Sequence, residues 1–92
     1  MVHSEGMVEL EKTMKALANR RRLAILKFLK YAGRASVGDI AREINLSFKA
    51  TSKHLGILRA ANVLEREQIS LEMWYFLAQT QTAAAAQILA LL

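Results

Sequence analysis

Three polar side chains repeat along one face of a predicted helix, residues 47–62. Lys49, Ser52 and Lys53 stand three and four positions apart, so at about 100° per residue they share one side of that helix. Lysine ammonium groups donate to phosphate oxygens and to the acceptor atoms of guanine, and a serine hydroxyl can bond a base edge or a phosphate. The spacing favours recognition of a nucleic acid, although a plain solvated helix face contains the same residue types.

Five further side chains are candidates for the same contact. Phe48 lies near the start of this face, where it either touches a thymine methyl group or folds back onto the core. Ser47 is first a helix cap and second a phosphate ligand. Arg59 and, earlier in the chain, Arg22 have the reach for phosphate contacts or for ion pairs within the fold. His54 falls on the apolar side of the helix, which favours a packed, hydrogen-bonded histidine over a DNA contact.

A second short helix and a tight turn precede this helix and would position it. Within residues 36–44 the apolar side chains follow the helical spacing of three and four: Val37, Ile40, Ala41 and Ile44. Ser36 can cap the start of this helix, and Asn45 tolerates the left-handed conformation that ends one. Two short helices joined in this way indicate a helix-turn-helix, whose second helix lies in the major groove of double-stranded DNA.

The remaining pattern predicts a small, mainly helical domain with one β-hairpin. A helix capped by Asn19 and ended by Gly33 is apolar most of the way round, so it belongs at the centre of the core. Branched and aromatic residues at 63–68 and 71–77 predict a hairpin that turns near Ile69-Ser70. The predicted order is four helices, two strands and a fifth helix.

The predicted hairpin carries more acid than base. Three glutamates surround a single arginine, Arg66, and phosphate would repel this balance at close range. The acids are Glu65, Glu67 and Glu72. We therefore assign no DNA contact to the hairpin and expect it to close the core with Trp74 and Phe76 or their neighbours.

Apolar seams mark the first helix and the C-terminal tail. The first seam consists of Met7, Leu10, Met14 and Leu17, and the alanine-rich tail 80–92 ends in Ile88, Leu89, Leu91 and Leu92. A narrow seam suits helix-on-helix packing, either within the domain or against a second subunit. The tail leaves much apolar surface for one small domain, which favours a partner.

Composition limits the chain to one small domain without thiol chemistry. Ninety-two residues, 53% of them hydrophobic, can bury one core, so we predict a single domain over residues 1–92. The absence of cysteine excludes disulfides and thiolate metal sites and fits a reducing cytoplasm. The acidic N-terminal residues do not resemble a signal peptide, and no apolar run reaches the roughly 20 residues that span a bilayer.

The net charge of +5 is concentrated in one segment. Residues 19–34 contain six basic side chains and no acid: Arg20, Arg21, Arg22, Lys27, Lys30 and Arg34. This segment either faces a phosphate backbone or forms a solvated face.

Several ordered motifs resemble the ArsR-type winged helix-turn-helix repressors. The resemblance runs without gaps from about Met14 to Leu77 and rests on these stretches: Ala16-Leu17-Ala18 with Arg22-Leu23, Leu46-Ser47, Ser52-Lys53-His54-Leu55 and Leu58-Arg59-Ala60-Ala61. It implies a winged helix-turn-helix fold and a cytoplasmic, dimeric repressor that binds an inverted-repeat operator through residues 47–61. It also implies that the first and last helices form the two-fold interface, here through Met7, Leu10, Met14, Leu17, Ile88, Leu89 and Leu92.

The metal ligands of that family are missing from this sequence. Ser36 and Gly38 stand where one family site has a cysteine pair, and residues 80–87 offer threonine, alanine and glutamine where another has aspartate and histidine. The two histidines, His3 and His54, have no partner at ligand spacing. We predict no sensor metal and no cofactor, and the sequence names no effector ligand.

Two functions of different classes follow from these observations. A DNA-binding transcriptional regulator is favoured by the Lys49, Ser52 and Lys53 face and by the acid-free segment. A winged-helix module that docks a protein partner is favoured by the acidic hairpin, the apolar tail and Phe48. An enzyme is not expected, because there is no Gly-rich phosphate loop, no Cys nucleophile and no recognisable Ser-His-acid motif.

Overall fold

The computed structural model describes residues 4–92 and has the predicted winged helix-turn-helix architecture. Within these residues the elements are α1 Ser4–Leu17, α2 Arg20–Ala32, β1 Arg34–Ser36, α3 Val37–Ile44, α4 Phe48–Ala60, β2 Leu64–Ile69, β3 Glu72–Leu77 and α5 Ala83–Leu91. The prediction of a mainly helical domain with the helix order given above is confirmed. None of these helices combines the length and the apolar character that a bilayer crossing requires.

The sheet has one strand more than the sequence predicted. The described strands form an antiparallel sheet in the order β1-β3-β2. Strand β1 is three residues long and pairs Arg34 with Phe76 and Ser36 with Trp74. The predicted hairpin is present as β2 and β3. Strand β1 is too short to show a periodicity in the sequence, so we did not predict it, and its conformation depends on pairing with the distant β3.

The helix ends are set by local side-chain chemistry, as the sequence predicted. The Asn19 side chain accepts from two backbone N–H groups at the start of α2, and Gly33 ends that helix at φ 85°. Asn45 ends α3 at φ 54°. Ser47 Oγ accepts from the N–H of Ala50 at 3.1 Å and starts α4. The Asn19 and Ser47 contacts satisfy N–H groups that a helix leaves unpaired at its first turn. At the other ends, the backbone N–H groups of Gly33 and Asn45 donate to carbonyl oxygens of the last turn.

Helix α2 lies at the centre of the core. Ile25 and Leu26 are fully buried and Leu29 nearly so, and α2 packs against the other four helices. From the sheet, Tyr75 is the buried aromatic residue, whereas its neighbours Trp74 and Phe76 are half-buried. Alternate side chains of a strand point to opposite faces, so burying Tyr75 puts both neighbours on the outer face.

The end of α5 is docked on α2 through two polar contacts. Lys30 Nζ donates to the carbonyl oxygen of Leu89 at 2.9 Å, and Tyr31 Oη donates to that of Leu92 at 3.2 Å. A cation at a helix C-terminus pairs with carbonyl groups that have no intrahelical partner and with the negative end of the helix dipole. The tail is thereby attached to the most buried helix of the domain.

Truncating the centre of α2 should unfold the domain more easily than truncating the surface. We expect Leu26→Ala to lower the free energy of unfolding by about 2–5 kcal/mol, because it leaves a cavity in a fully packed site. Leu71→Ala, at a side chain that is 97% exposed, should change it by less than about 0.5 kcal/mol. Urea unfolding followed by circular dichroism measures both, and equal effects would contradict the central position of α2.

Candidate nucleic-acid interface

Most of the polar residues selected from the sequence stand together on the outward face of α4. Lys49 and Lys53 are exposed, Ser52 is half-buried between them, and Phe48 is 63% exposed at the start of the helix. Of the two predicted orientations of Phe48, the structure thus has the outward one. The face offers two cations, a hydroxyl and an aromatic ring to whatever approaches α4.

The buried side of α4 is a narrow stripe. Thr51, Leu55 and Leu58 are fully buried, whereas the apolar residue Ile57 is 37% exposed. At 100° per residue, Ile57 lies about 130° from the middle of the stripe that those three residues define, so it projects sideways into solvent.

Arg22 and His54 form a junction between three helices. The Arg22 side chain donates through Nε to the carbonyl of Ala16 and through Nη2 to that of Lys15 at 3.1 Å. Its Nη1 donates to His54 Nδ1 at 3.2 Å. One guanidinium group therefore closes the end of α1 and holds α4. Both residues have partners within the fold, and the DNA contacts predicted for them stay predictions.

The imidazole of His54 is held neutral in this junction. Its pKa is lowered first by burial and then by the positive charges of Arg22, Arg21 and Lys53. Because Nδ1 accepts from Arg22, the ring proton resides on Nε2. The neutral ring is the form that can accept this hydrogen bond.

The basic segment 19–34 divides into internal and external charges. Arg22 points into the junction, Lys30 binds the end of α5, and the Arg34 guanidinium lies 6.0 Å from the centre of the Phe76 ring. The other three, Arg20, Arg21 and Lys27, are exposed and line a groove of about 550 Å³ beside the end of α3. Half of the basic side chains of the segment thus make contacts within the fold, and the other half line a surface groove.

The hairpin turns one basic side chain toward α4, which the sequence analysis missed. Arg66 pairs with Tyr75 across β2 and β3, on the sheet face that packs on the helices, and its Nη1 donates to Tyr75 Oη at 3.4 Å. Glu65 and Glu67 pair with the outer-face residues Phe76 and Trp74. The period of two along β2 carried this signal, because alternate residues face opposite ways; net charge alone concealed it.

Two open clefts separate α4 from the hairpin. One, of about 510 Å³, is lined by Phe48, Ser52, Gly56, Arg66 and Glu72 among others. The other, of about 550 Å³, is lined by Gly56, Arg59, Asn62, Glu65 and Arg66 among others. Arg66 and Gly56 belong to both clefts, and Arg59, exposed near the end of α4, belongs to the second.

Comparison with known proteins gives the same assignment from three directions. The family described as "Helix-turn-helix domain" matches residues 17–67, which is more than half of the chain. The transcriptional activator HlyU of Vibrio cholerae is 34% identical over 76 residues, covering 83% of this chain and 69% of the relative. The structure of HlyU from Vibrio cholerae superposes with a TM-score of 0.82 at 30% identity, covering 97% of this chain and 94% of that one.

A solved structure from Mycobacterium bovis adds the family. It is the homodimeric winged helix-turn-helix DNA-binding domain of Mb0332, described as a possible ArsR-family regulator, with a TM-score of 0.82 at 27% identity over 96% of this chain and 78% of that one.

This chain belongs to the ArsR-type family of winged helix-turn-helix transcriptional regulators. It is a DNA-binding regulator of transcription. The relatives reported above are likewise transcriptional regulators.

The metal sites known from the ArsR family have no counterpart in the part of the chain that the structure describes. Within residues 4–92, no three His, Cys, Asp or Glu side chains come together so as to hold a metal ion. Ser36 caps α3 and is buried, and Gly38 follows it in the first turn. His3 lies outside the described residues. That this regulator uses no sensor metal stays a prediction.

The stability of the domain should depend on pH through His54. Because the folded pKa lies below the ordinary value of 6.5, the unfolded chain binds a proton more readily than the folded one. The stabilising contribution is present above pH 6.5 and is lost as the pH falls through the folded pKa. We expect the urea midpoint to fall between pH 7.5 and 5.5.

His54→Gln is the matched variant, since an amide oxygen can still accept from Arg22 but does not titrate. Its midpoint should be nearly constant over the same interval, with His3 still present in both proteins. An equal pH dependence in the variant would assign the effect to another group.

Proposed function

We propose that this ArsR-type regulator binds operator DNA as a homodimer, with α4 of each subunit in one major groove. The observation that supports this most directly is the exposure of Lys49 and Lys53 beside Ser52 on the outward face of α4. The proposed contact residues are Ser47, Phe48, Lys49, Ser52, Lys53 and Arg59, while Arg22 and His54 fix the direction of the helix.

Different side chains on this face supply affinity for DNA and discrimination between base sequences. Lysine and arginine supply most of the affinity by displacing counterions from phosphates. Residues in the first turns of a recognition helix approach the base edges, so Phe48, Lys49 and Ser52 carry the discrimination. A phenyl ring can distinguish thymine by its methyl group, and an ammonium group can bond guanine.

The proposed dimer interface is the apolar face shared by α1 and α5. Met7 and Met14 are more than half exposed, and Leu10 is 42% exposed. A groove of about 330 Å³ runs beside them, lined by Leu10, Met14, Leu17, Ala18, Leu23, Ala84, Gln87 and Ile88. A second copy would cover this surface, as the homodimeric state of the Mycobacterium bovis relative also suggests.

We propose that only some of the residues predicted for this interface contact the second subunit. Leu17 and Leu89 are buried within their own chain, so they support the interface from the subunit core. Met7, Leu10, Met14 and Ile88 remain as the contacting side chains, with the half-buried Leu92 at the end of α5.

The two-fold symmetry of the proposed dimer determines the symmetry of the DNA sequence that it binds. Two α4 helices would meet successive major-groove faces about 34 Å apart, so the operator is an inverted repeat. Occupying an operator that overlaps a promoter represses transcription, and an effector that alters the α1–α5 interface would change the spacing of both α4 helices. In this proposal residues 1–92 act as one DNA-binding domain in the cytoplasm, without catalytic activity.

One observation keeps a second function in view. Leu71, at the tip of the hairpin, is 97% exposed and is followed by Glu72. An acidic tip with an apolar side chain suits docking of a protein partner. Failure of the DNA experiment below, in a folded protein, would favour this alternative.

Binding to DNA should depend steeply on salt and on two lysines. We expect the affinity for a mixed-sequence duplex, measured by fluorescence anisotropy, to fall linearly on logarithmic axes as salt rises. Lys49→Ala with Lys53→Ala should weaken binding and reduce that slope by about 0.9 for each phosphate that the variant no longer neutralises.

The matched control removes the same charge from another helix. Lys12 and Lys15 are exposed on α1 and occupy positions outside the apolar seam. Lys12→Ala with Lys15→Ala should leave the slope close to that of the parent protein. Equal decreases in the two double variants would mean that the α4 lysines contribute only through the overall positive charge of the protein.

The oligomeric state should respond to charges placed on the α1 seam. We expect a dimer at micromolar concentration in sedimentation velocity, and a monomer for Met7→Lys with Met14→Lys, because a dry interface does not accommodate unpaired ammonium groups. Both side chains are exposed in the subunit, so the fold should persist. Leu71→Lys is the control and should stay dimeric; a monomeric parent protein would rule out the proposed interface.

A further inference from the structure

Gly56 occupies the interior of α4, where glycine weakens a helix. It is the ninth of the thirteen residues from Phe48 to Ala60 and is exposed on the outward side of the helix. Glycine there loses more backbone freedom on folding than alanine would, so α4 is less stable than its length allows. The presence of glycine at this position therefore needs an explanation other than helix stability.

Neither the backbone nor the packing of this chain requires a glycine at this position. Gly33 has φ 85°, a conformation that side chains rarely adopt, but Gly56 is an ordinary helical residue. A Cβ atom added to Gly56 would meet nothing within 4 Å. The space above Gly56 is thus open, and within the described part of the chain nothing fills it.

The open space above Gly56 borders the two clefts between α4 and the hairpin. Gly56 and Arg66 line both clefts, so the clefts adjoin at these residues, and we call the two together the trough. Four of its lining residues have side chains that can donate hydrogen bonds, namely Ser52, Arg59, Asn62 and Arg66. Two acidic residues, Glu65 and Glu72, also line the trough, one in each cleft.

The geometry of a double helix indicates which part of the DNA would lie in such a trough. When α4 lies in a major groove and the hairpin lies beside it, the strand that borders that groove must pass between them. The sugar-phosphate backbone of that strand carries the acceptors that guanidinium, amide and hydroxyl groups bind.

We propose that Gly56 is the crossing point at which one DNA strand passes over α4 in contact with its main chain, with Arg59 and Arg66 as phosphate ligands on either side. This inference rests on the proposed DNA-binding function and deepens it. Glycine allows the sugar-phosphate backbone to approach closely, and a methyl group would hold the strand away from both arginines. Gly56 is a positioning residue: because it has no side chain, the strand can come close enough to reach both arginines.

The test is Gly56→Ala, which separates stability from binding. Added helix propensity should raise the melting temperature by a few degrees, about 4 °C for a domain of this size. The affinity for the mixed-sequence duplex should nevertheless fall about tenfold, and Gly56→Leu should weaken it further. Gly6→Ala is the matched control, because Gly6 is an exposed residue of α1 and is not among the residues that line either cleft; its affinity should stay within about twofold of the parent protein.

The outcomes distinguish this inference from the function on which it rests. A Gly56→Ala protein that is more stable and binds DNA as tightly as the parent would overturn the crossing point and leave the proposed function intact. A lower melting temperature, or an equal loss of affinity in Gly6→Ala, would also overturn it. A parent protein that does not bind DNA even at low salt would overturn both the crossing point and the proposed function.

Discussion

One guanidinium group connects the recognition helix to the rest of the domain. Burial of Thr51, Leu55 and Leu58 attaches α4 to the core, but apolar contact is non-directional and tolerates some rotation or sliding of a helix. The hydrogen bond from Arg22 to His54 fixes a direction, and the same arginine closes the last turn of α1. The direction in which Lys49 and Lys53 point therefore depends on the hydrogen bond between Arg22 and His54, which lies on the inner side of α4.

The distribution of charge follows from the same use of cations inside the fold. Half of the acid-free segment joins helices or covers an aromatic ring, and Arg66 is brought to the α4 side by the alternation of a strand. Net charge by segment suggested a continuous basic helix and a repulsive hairpin. The folded chain has instead a few cations on α4 and around the trough, with carboxylates lining that trough as well. Such an arrangement favours selective recognition over indiscriminate attraction to phosphate.

What the sequence predicted well is local chemistry. Asn19, Asn45 and Ser47 cap helices because their own side chains or backbones suit those positions, and nearby residues suffice to infer it. What it missed depends on distant partners. Strand β1 exists because β3 lies beside it, and Leu17 and Leu89 are buried because α1 and α5 meet. The residues of the candidate site were selected by helical spacing, while the trough required the hairpin to be placed.

Both ends of α4 are held by asparagines in the left-handed conformation. Asn45 has φ 54° and Asn62 has φ 63°, and the N–H of Val63 returns to the carbonyl of Leu58 at 3.0 Å. The number of residues between these two points is consequently fixed. One inserted residue would turn every later side chain of the helix by about 100° and move part of the buried stripe into solvent. Side chains on the outward face of α4 can therefore be exchanged without disturbing its ends, whereas a change in its length would require the core to repack.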